Sequence, residues 1–317
     1  MLEDFPGIPW LGSDWMTIID GVRAWLRGQN PYLPYTTYAH TLTPPGWYVY
    51  PPHSVYILAP LALLPRGFSF ILGVIATWLI WEWWMRREVA MPAFRTLLWW
   101  PLIDHFLLGQ FSLLVLLALS AVWICWNRPN LFWWGPFVLA CATIKPQLVL
   151  LPLLVMLFRA VRERKWTFLV ALSFWLTLMW GGAWVADHGT LYREWWTSIQ
   201  THSTVRRWLL QDWFCVAVTI GILIAYYKHV RQFDLCYVMM GLTVYSIPLG
   251  SSYSIIGLLF PILTMKKSIN PLFWGISLIA FLMPEITSQG LQVQVRASLV
   301  GLLASLIMIR EDAKMSW

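Results

Sequence analysis

Charge is scarce in this chain of 317 residues: only 12% are Asp, Glu, Lys or Arg, about half the share of an ordinary soluble domain. Apolar residues make up 59% and the mean hydropathy is +0.61. That balance excludes a soluble globular domain and predicts an all-α, polytopic integral membrane protein. The length suits one helical domain of about eight to eleven segments at roughly 20 residues each. Cysteine is scarce too. Cys125, Cys141, Cys215 and Cys236 all fall inside apolar runs and read as small buried hydrophobes, which argues against a disulfide framework or a metal set. There is no phosphate-binding glycine loop of the Walker type, no nucleophile elbow and no zinc spacing. The opening "MLEDFPGIPWLG" lacks the basic start and apolar core of a secretory signal. The net charge of +7 does not imply nucleic acid, because the basic residues sit mostly in short gaps between apolar runs, as the positive-inside rule requires. Tryptophan, by contrast, is abundant at 24, and most of it is expected to anchor helices at the membrane interface.

Composition divides the chain in two. Residues 1–53 are polar, aromatic and rich in Pro and Tyr, and are expected to form an external loop region. Residues 54–317 form the multi-span helical domain. Several of its apolar runs are too short to cross a bilayer alone at 1.5 Å per residue, so they predict broken or re-entrant helices. Such breaks are tolerated where they are buried in protein or line a cavity. Arg159, Arg162, Arg164 and Lys165 mark one cytoplasmic loop, Lys228 and Arg231 the next, Lys266 and Lys267 another, and Arg310 and Lys314 the tail. Loops 187–207, 249–253 and 285–293 then lie outside. Arg86, Arg87, Arg95 and Arg128 suggest cytoplasmic loops in the first half, which turns "LGQ" (Leu108–Gln110) and "IKPQ" (Ile144–Gln147) outward as the tips of helix pairs.

The stretch Ser13–Tyr35, "SDWMTIIDGVRAWLRGQNPYLPY", begins with an amphipathic helix. Ser13 is its expected cap, and Ile18, Ile19, Val22, Trp25 and Leu26 share one apolar face. Asp20, Arg23 and Arg27 lie largely off that face, and Gly28 is the expected stop. The helix is expected to lie on the membrane surface. Asp14 in its first turn is favoured as an anion by the helix dipole. It either supports the helix start or does chemistry; composition leaves both open.

The order of four motifs is informative. "SDW…GVRAWLRGQNPY", "YVYPPHSVYILAPLALLP", "LLGQFSLLVLLAL" and "ATIKPQLVLLPLLVM" together resemble the polyprenol-phosphate-sugar-dependent mannosyltransferases of glycosyltransferase family 87, in the C-type membrane glycosyltransferase superfold. The motifs that carry the resemblance run from about residue 12 to about residue 165; beyond them only the hydrophobic pattern is similar. The resemblance implies a bacterial cytoplasmic-membrane enzyme of the cell envelope. It would move mannose or another hexose or pentose from a polyprenyl phosphate to a lipid, glycan or protein acceptor on the external face. It implies Asp14 as general base on the acceptor hydroxyl, a role that fits a nucleophile whose proton must leave in the transition state. No cofactor is required; a divalent metal is possible but not indicated, since no acidic pair close in sequence demands one.

Lys145 interrupts an apolar run before Pro146, as the family's motif does, and is the best candidate for the donor phosphate. Its alternative is a snorkelling lysine. Gln110 either hydrogen-bonds sugar or phosphate or makes an interhelical polar contact. Tyr50, with Pro51 and Pro52, shapes the start of the next helix and is a further donor or acceptor contact. In the basic aromatic segment Arg193–Trp213, His202, Arg206 and Arg207 are candidates for lipid phosphate, against a reading as a headgroup-facing surface. Asp104 and His105 match no metal spacing and read as structural. Two departures from the family stand out. The membrane helix that usually precedes the acidic loop does not precede Asp14 here, so it lies upstream, has been lost, or comes from a partner. The late segment Ser246–Pro261 carries Tyr253 where the family often has a histidine. These departures keep open a second reading: a degenerate relative serving as a structural or lipid-binding subunit of a larger membrane complex. A flippase or transporter is a third, with no visible internal repeat to support it.

Overall fold

The computed structural model describes residues 11–32, 48–203, 213–229, 232–243 and 256–264, with 296, 298–300 and 303. Among these, every regular element is helical. The helices are α1 (Ser13–Leu26), α2 (Ser54–Ala62), α3 (Arg66–Trp84, continued by a π-helical turn Met85–Val89), α4 (Trp100–Leu108) and α5 (Ser112–Ile124). They continue with α6 (Leu131–Ala142), α7 (Pro146–Arg162), α8 (Trp166–Leu176, joined through a π-helical turn to α9, Gly182–Asp187), α10 (Thr190–Ser203), α11 (Trp213–His229), α12 (Gln232–Leu242) and α13 (Leu259–Thr264). The chain is an all-α membrane protein.

Two helices among the described residues are long and apolar enough to cross a membrane: Arg66–Val89 and Trp166–Asp187. A third span forms if Pro101–Leu108 and Ser112–Ile124, bent by 109° at their junction, are taken as one. Composition predicts further segments, several of them beyond the described residues; among the described residues, Gly109 ends α4 and the Thr143–Lys145 turn divides α6 from α7. The short, broken character read from the sequence is what remains.

Helices α5 to α8 run back and forth between two ends. The α4–α5 and α6–α7 turns lie at one end, and the α5–α6 and α7–α8 turns at the other. Helix α7, with 17 residues, measures about 25 Å between the two ends at 1.5 Å per residue. Its outward residues Leu150, Leu154 and Phe158 are exposed, as are Phe68, Ile75 and Leu79 on α3 and Val170 and Phe174 on α8. These faces suit acyl chains.

Much of the tryptophan is core rather than anchor. Trp81, Trp84, Trp99 and Trp126 are almost completely buried. Their indole N–H groups account for this wherever the partner is seen: Trp81 donates to Thr96 Oγ1 (3.0 Å), Trp84 to Ser120 Oγ (2.6 Å) and Trp126 to Glu163 Oε2 (2.6 Å). A buried indole with its donor satisfied has no reason to seek the headgroups. Trp83, Trp133, Trp166 and Trp184 do stay exposed.

Helix α1 keeps its apolar face but is built into the bundle, packed on α2, α3 and α4. Gly12, in the left-handed region, occupies the cap position in place of Ser13, which is already helical. Gly28 (φ +73°) ends the helix as expected: Gly28 N–H donates to Trp25 O and Gln29 N–H to Ala24 O, the paired bonds of a Schellman stop. Asp20 and Arg23 face protein, not solvent. Arg66, at the start of α3, holds Asp20 Oδ1 through Nε (2.9 Å) and a second guanidinium nitrogen (2.8 Å). Arg23 donates to Ala62 O (2.9 Å) and Leu64 O (2.6 Å), carbonyls at the end of α2 that a helix terminus leaves without intrahelical donors. Asp20→Ala is expected to cost about 1–2 kcal/mol, less than the roughly 3–5 of a fully buried pair, because Arg66 is 29% exposed. A thermal unfolding midpoint several degrees lower would show it.

Candidate functional site

The two tips meet. At the first, α4 stops at Gly109 (φ +73°), and both Gly109 and Gln110 N–H donate back to His105 O (3.1 Å each). The start of α1 docks on the same turn through Gly12 N–H to Leu107 O (2.6 Å). Trp15 then stacks on Phe111 (ring centroids 4.7 Å apart) and donates to Ser69 Oγ (3.0 Å). Glycine is required where the indole passes: a Cβ on Gly73 would lie 2.2 Å from the Trp15 ring, and one on Gly109 2.7 Å from Trp15 Cβ. Trp15 is thus a peg that fixes Asp14, its neighbour, beside the Gln110–Ser112 turn.

This gives a paired prediction. Gly109→Ala combines the left-handed backbone cost of about 1–2 kcal/mol with a clash against Trp15, whereas Gly28→Ala has the same φ and open space around it. In thermal unfolding, Gly109→Ala should lose clearly more stability than Gly28→Ala.

The second tip carries Lys145. It precedes Pro146, the first residue of α7, and its backbone (φ −123°, ψ 76°) is non-helical, the helical region being disfavoured before a proline. Its side chain is 7% exposed. The ammonium donates to Gln110 Oε1 (2.6 Å) and Ser112 Oγ (2.8 Å) and lies 5.4 Å from the centre of the Tyr50 ring. The Asp14 carboxylate acts on it electrostatically. Asp14 itself is half-buried, with Oδ2 turned inward. Four of the sequence candidates, Asp14, Tyr50, Gln110 and Lys145, therefore come together from four separate segments. Lys145 also stands at the N-terminus of a 17-residue helix, where the dipole already favours negative charge. Two positive contributions converge on one point, and that point attracts anions.

Two histidines join the cluster. His105 is buried and within electrostatic range of Lys145. With Trp15, Thr77, Gly109 and Gln110 it lines a cavity of about 10 Å³, room for roughly one water. His53 was not singled out from the sequence. It precedes α2, lies tilted against Trp180 (ring centroids 4.4 Å apart) and hydrogen-bonds Thr143 Oγ1 through Nε2 (3.1 Å). The Trp180 indole N–H also reaches Thr143 Oγ1 (3.0 Å). This ties α8–α9 to the turn that carries Lys145. The one signal for it was its place in "YPPHS", two residues after Pro51. Tyr50 also holds the chain locally: its carbonyl accepts the Tyr32 hydroxyl (2.8 Å).

His202 lies in α10 with its side chain outside the described residues; Arg206, Arg207 and the 244–255 segment with Tyr253 fall outside them entirely, as do loop 285–293 and the basic positions Arg231, Lys266, Lys267, Arg310 and Lys314.

A profile of glycosyltransferase family 87 matches residues 48–308. The match starts after Asp14 and runs well past the motifs that carry the resemblance in the sequence, covering three of the four converging residues: Tyr50, Gln110 and Lys145. No curated protein and no solved structure gives a match. With more than three quarters of its length matched, the chain belongs to glycosyltransferase family 87, a family of membrane glycosyltransferases.

Proposed function

We propose that the chain transfers one sugar from a polyprenyl phosphate to a hydroxyl of a lipid, glycan or protein acceptor, at the end of the bundle that holds Asp14 and Lys145. The observation that carries this reading is a buried ammonium at a helix N-terminus, hydrogen-bonded to Gln110 and Ser112, with the Asp14 carboxylate in electrostatic range. Asp14 takes the proton of the acceptor hydroxyl as its oxygen attacks the anomeric carbon. The bond from that carbon to the phosphate oxygen breaks, and polyprenyl phosphate departs with the bonding pair. Lys145 and the positive end of α7 stabilise the charge that grows on the phosphate, with Gln110 and Tyr50 beside it. One carboxylate suffices for a single displacement, and the anomeric configuration inverts.

The external placement of this end, together with residues 1–53, in a bacterial cytoplasmic membrane is supported by charge. The opposite end carries Arg128, Arg159, Arg162, Arg164 and Lys165, the cytoplasmic signature. The residues named supply the base and the stabilisation of the leaving group, so this reading requires no cofactor. A non-catalytic, lipid-binding or structural subunit is the second reading, favoured by the burial of Lys145.

Purified protein offered labelled polyprenyl-phosphate hexose or labelled nucleotide sugar, with a membrane lipid extract as acceptor, separates these. Transfer from the polyprenyl donor alone is expected. Transfer only from the nucleotide sugar, or from neither donor, would overturn the proposal.

A further inference from the structure

At the other end of α5–α8 the sequence places five cations and one carboxylate on two adjacent turns: Arg128 between α5 and α6, and Arg159, Arg162, Glu163, Arg164 and Lys165 at the α7–α8 turn. Trp126 binds these turns together. Its indole N–H donates to Glu163 Oε2 (2.6 Å), its carbonyl accepts from Lys165 Nζ (2.5 Å), and its ring lies under both Arg159 (5.1 Å) and Lys165 (4.5 Å). Arg159 Nε holds the other carboxylate oxygen (2.7 Å) and its guanidinium also covers Trp123 (4.6 Å). The single acid is thereby consumed internally. Arg128, Arg162 and Arg164 are left exposed, and none makes an ion pair with another described residue. The α7–α8 turn is well defined, with Arg164 in the left-handed region and its N–H bonded to Val161 O (3.1 Å).

Exposed apolar side chains flank these cations on the helices that end here: Phe158 (67% exposed), Trp133 (73%) and Trp166 (58%). Exposed indoles beside exposed guanidiniums mark the level where acyl chains give way to headgroups. Positive-inside orientation needs only the count of charges. It does not require one acid to be neutralised by a tryptophan-centred clamp while three arginines stay unpaired around it.

We propose that this corner is a binding site for an anionic phospholipid. Arg128, Arg162 and Arg164 take the headgroup phosphate, and the acyl chains lie against Phe158, Trp133 and Trp166. The site is about 25 Å from Lys145 along α7 and does not rest on the catalytic reading.

The test is lipid retention by the purified full-length protein, read by native mass spectrometry after exchange with mixed micelles of phosphatidylglycerol and phosphatidylcholine. Parent protein should retain phosphatidylglycerol in preference. Each basic side chain near an anionic headgroup is worth about fivefold in binding, so the triple variant Arg128→Gln, Arg162→Gln, Arg164→Gln should bind about a hundredfold more weakly. Arg193→Gln, an exposed arginine on α10 that follows the opposite end of α8–α9, should bind as the parent does. All three target side chains are exposed, and an unchanged melting temperature will confirm that the variant is folded. The proposal is overturned if the parent shows no preference, if Arg193→Gln loses as much as the triple variant, or if soluble glycerol phosphate displaces the lipid at equal concentration.

Discussion

Asp14→Asn should lower the turnover of sugar transfer by about 10²–10⁴-fold while leaving donor affinity nearly unchanged. The amide keeps the size and shape of the carboxylate but cannot take the acceptor's proton, and general-base catalysis is worth about that much. The backbone on either side of Asp14 is anchored by its neighbours: Gly12 docks on Leu107 and Trp15 is pegged between Gly73, Gly109 and Phe111. The variant should therefore fold normally, and a loss confined to turnover would identify a group that acts in the transition state. Steady-state kinetics with varied donor at saturating acceptor reads both parameters. Equal turnover in parent and variant would leave Asp14 as a helix-start residue only.

Lys145→Met should lower transfer by about 10²–10³-fold, the usual effect of removing one preorganised group that stabilises developing charge. Its effect on stability is a balance: the apolar side chain removes the cost of desolvating a buried ammonium, but Gln110 Oε1 and Ser112 Oγ lose their buried donor, so a net loss of about 1–3 kcal/mol is expected. Activity is therefore compared per folded molecule, below the melting temperature of the variant. If Lys145→Met melts early and keeps its specific activity, the lysine is structural, and the second reading gains.

The sequence exposed the ends of helices well and their neighbours poorly. Gly28 acts through local backbone geometry, so its role as a helix stop could be read directly, and the segments holding Gly109 and Pro146 could be read as tips of helix pairs. Gln110 and Lys145 were conspicuous as polar breaks in apolar runs. What brings them to 2.6 Å is tertiary, and only the order of motifs hinted at it. Tryptophan was misjudged for a related reason. In a membrane helix both faces are apolar, so periodicity cannot separate Trp81 and Trp84, buried and stacked 5.0 Å apart, from Trp83 between them, which is exposed. The partners that retain Trp81 and Trp84, Thr96 and Ser120, are distant in sequence. Asp20 and Arg23 lie off the apolar face, and nothing near them in the sequence points to their partners Arg66, Ala62 and Leu64. His53 escaped because its meaning lies in Thr143, ninety positions away.

The most direct measurement is a double-mutant cycle on transfer: parent, Asp14→Asn, Lys145→Met and the double variant, assayed with one labelled polyprenyl-phosphate donor. Groups that serve one displacement at one point lose function as a unit, so the double variant should fall little further than the worse single variant. Losses that multiply in full would mean that the two residues act independently, and would contradict a single shared site.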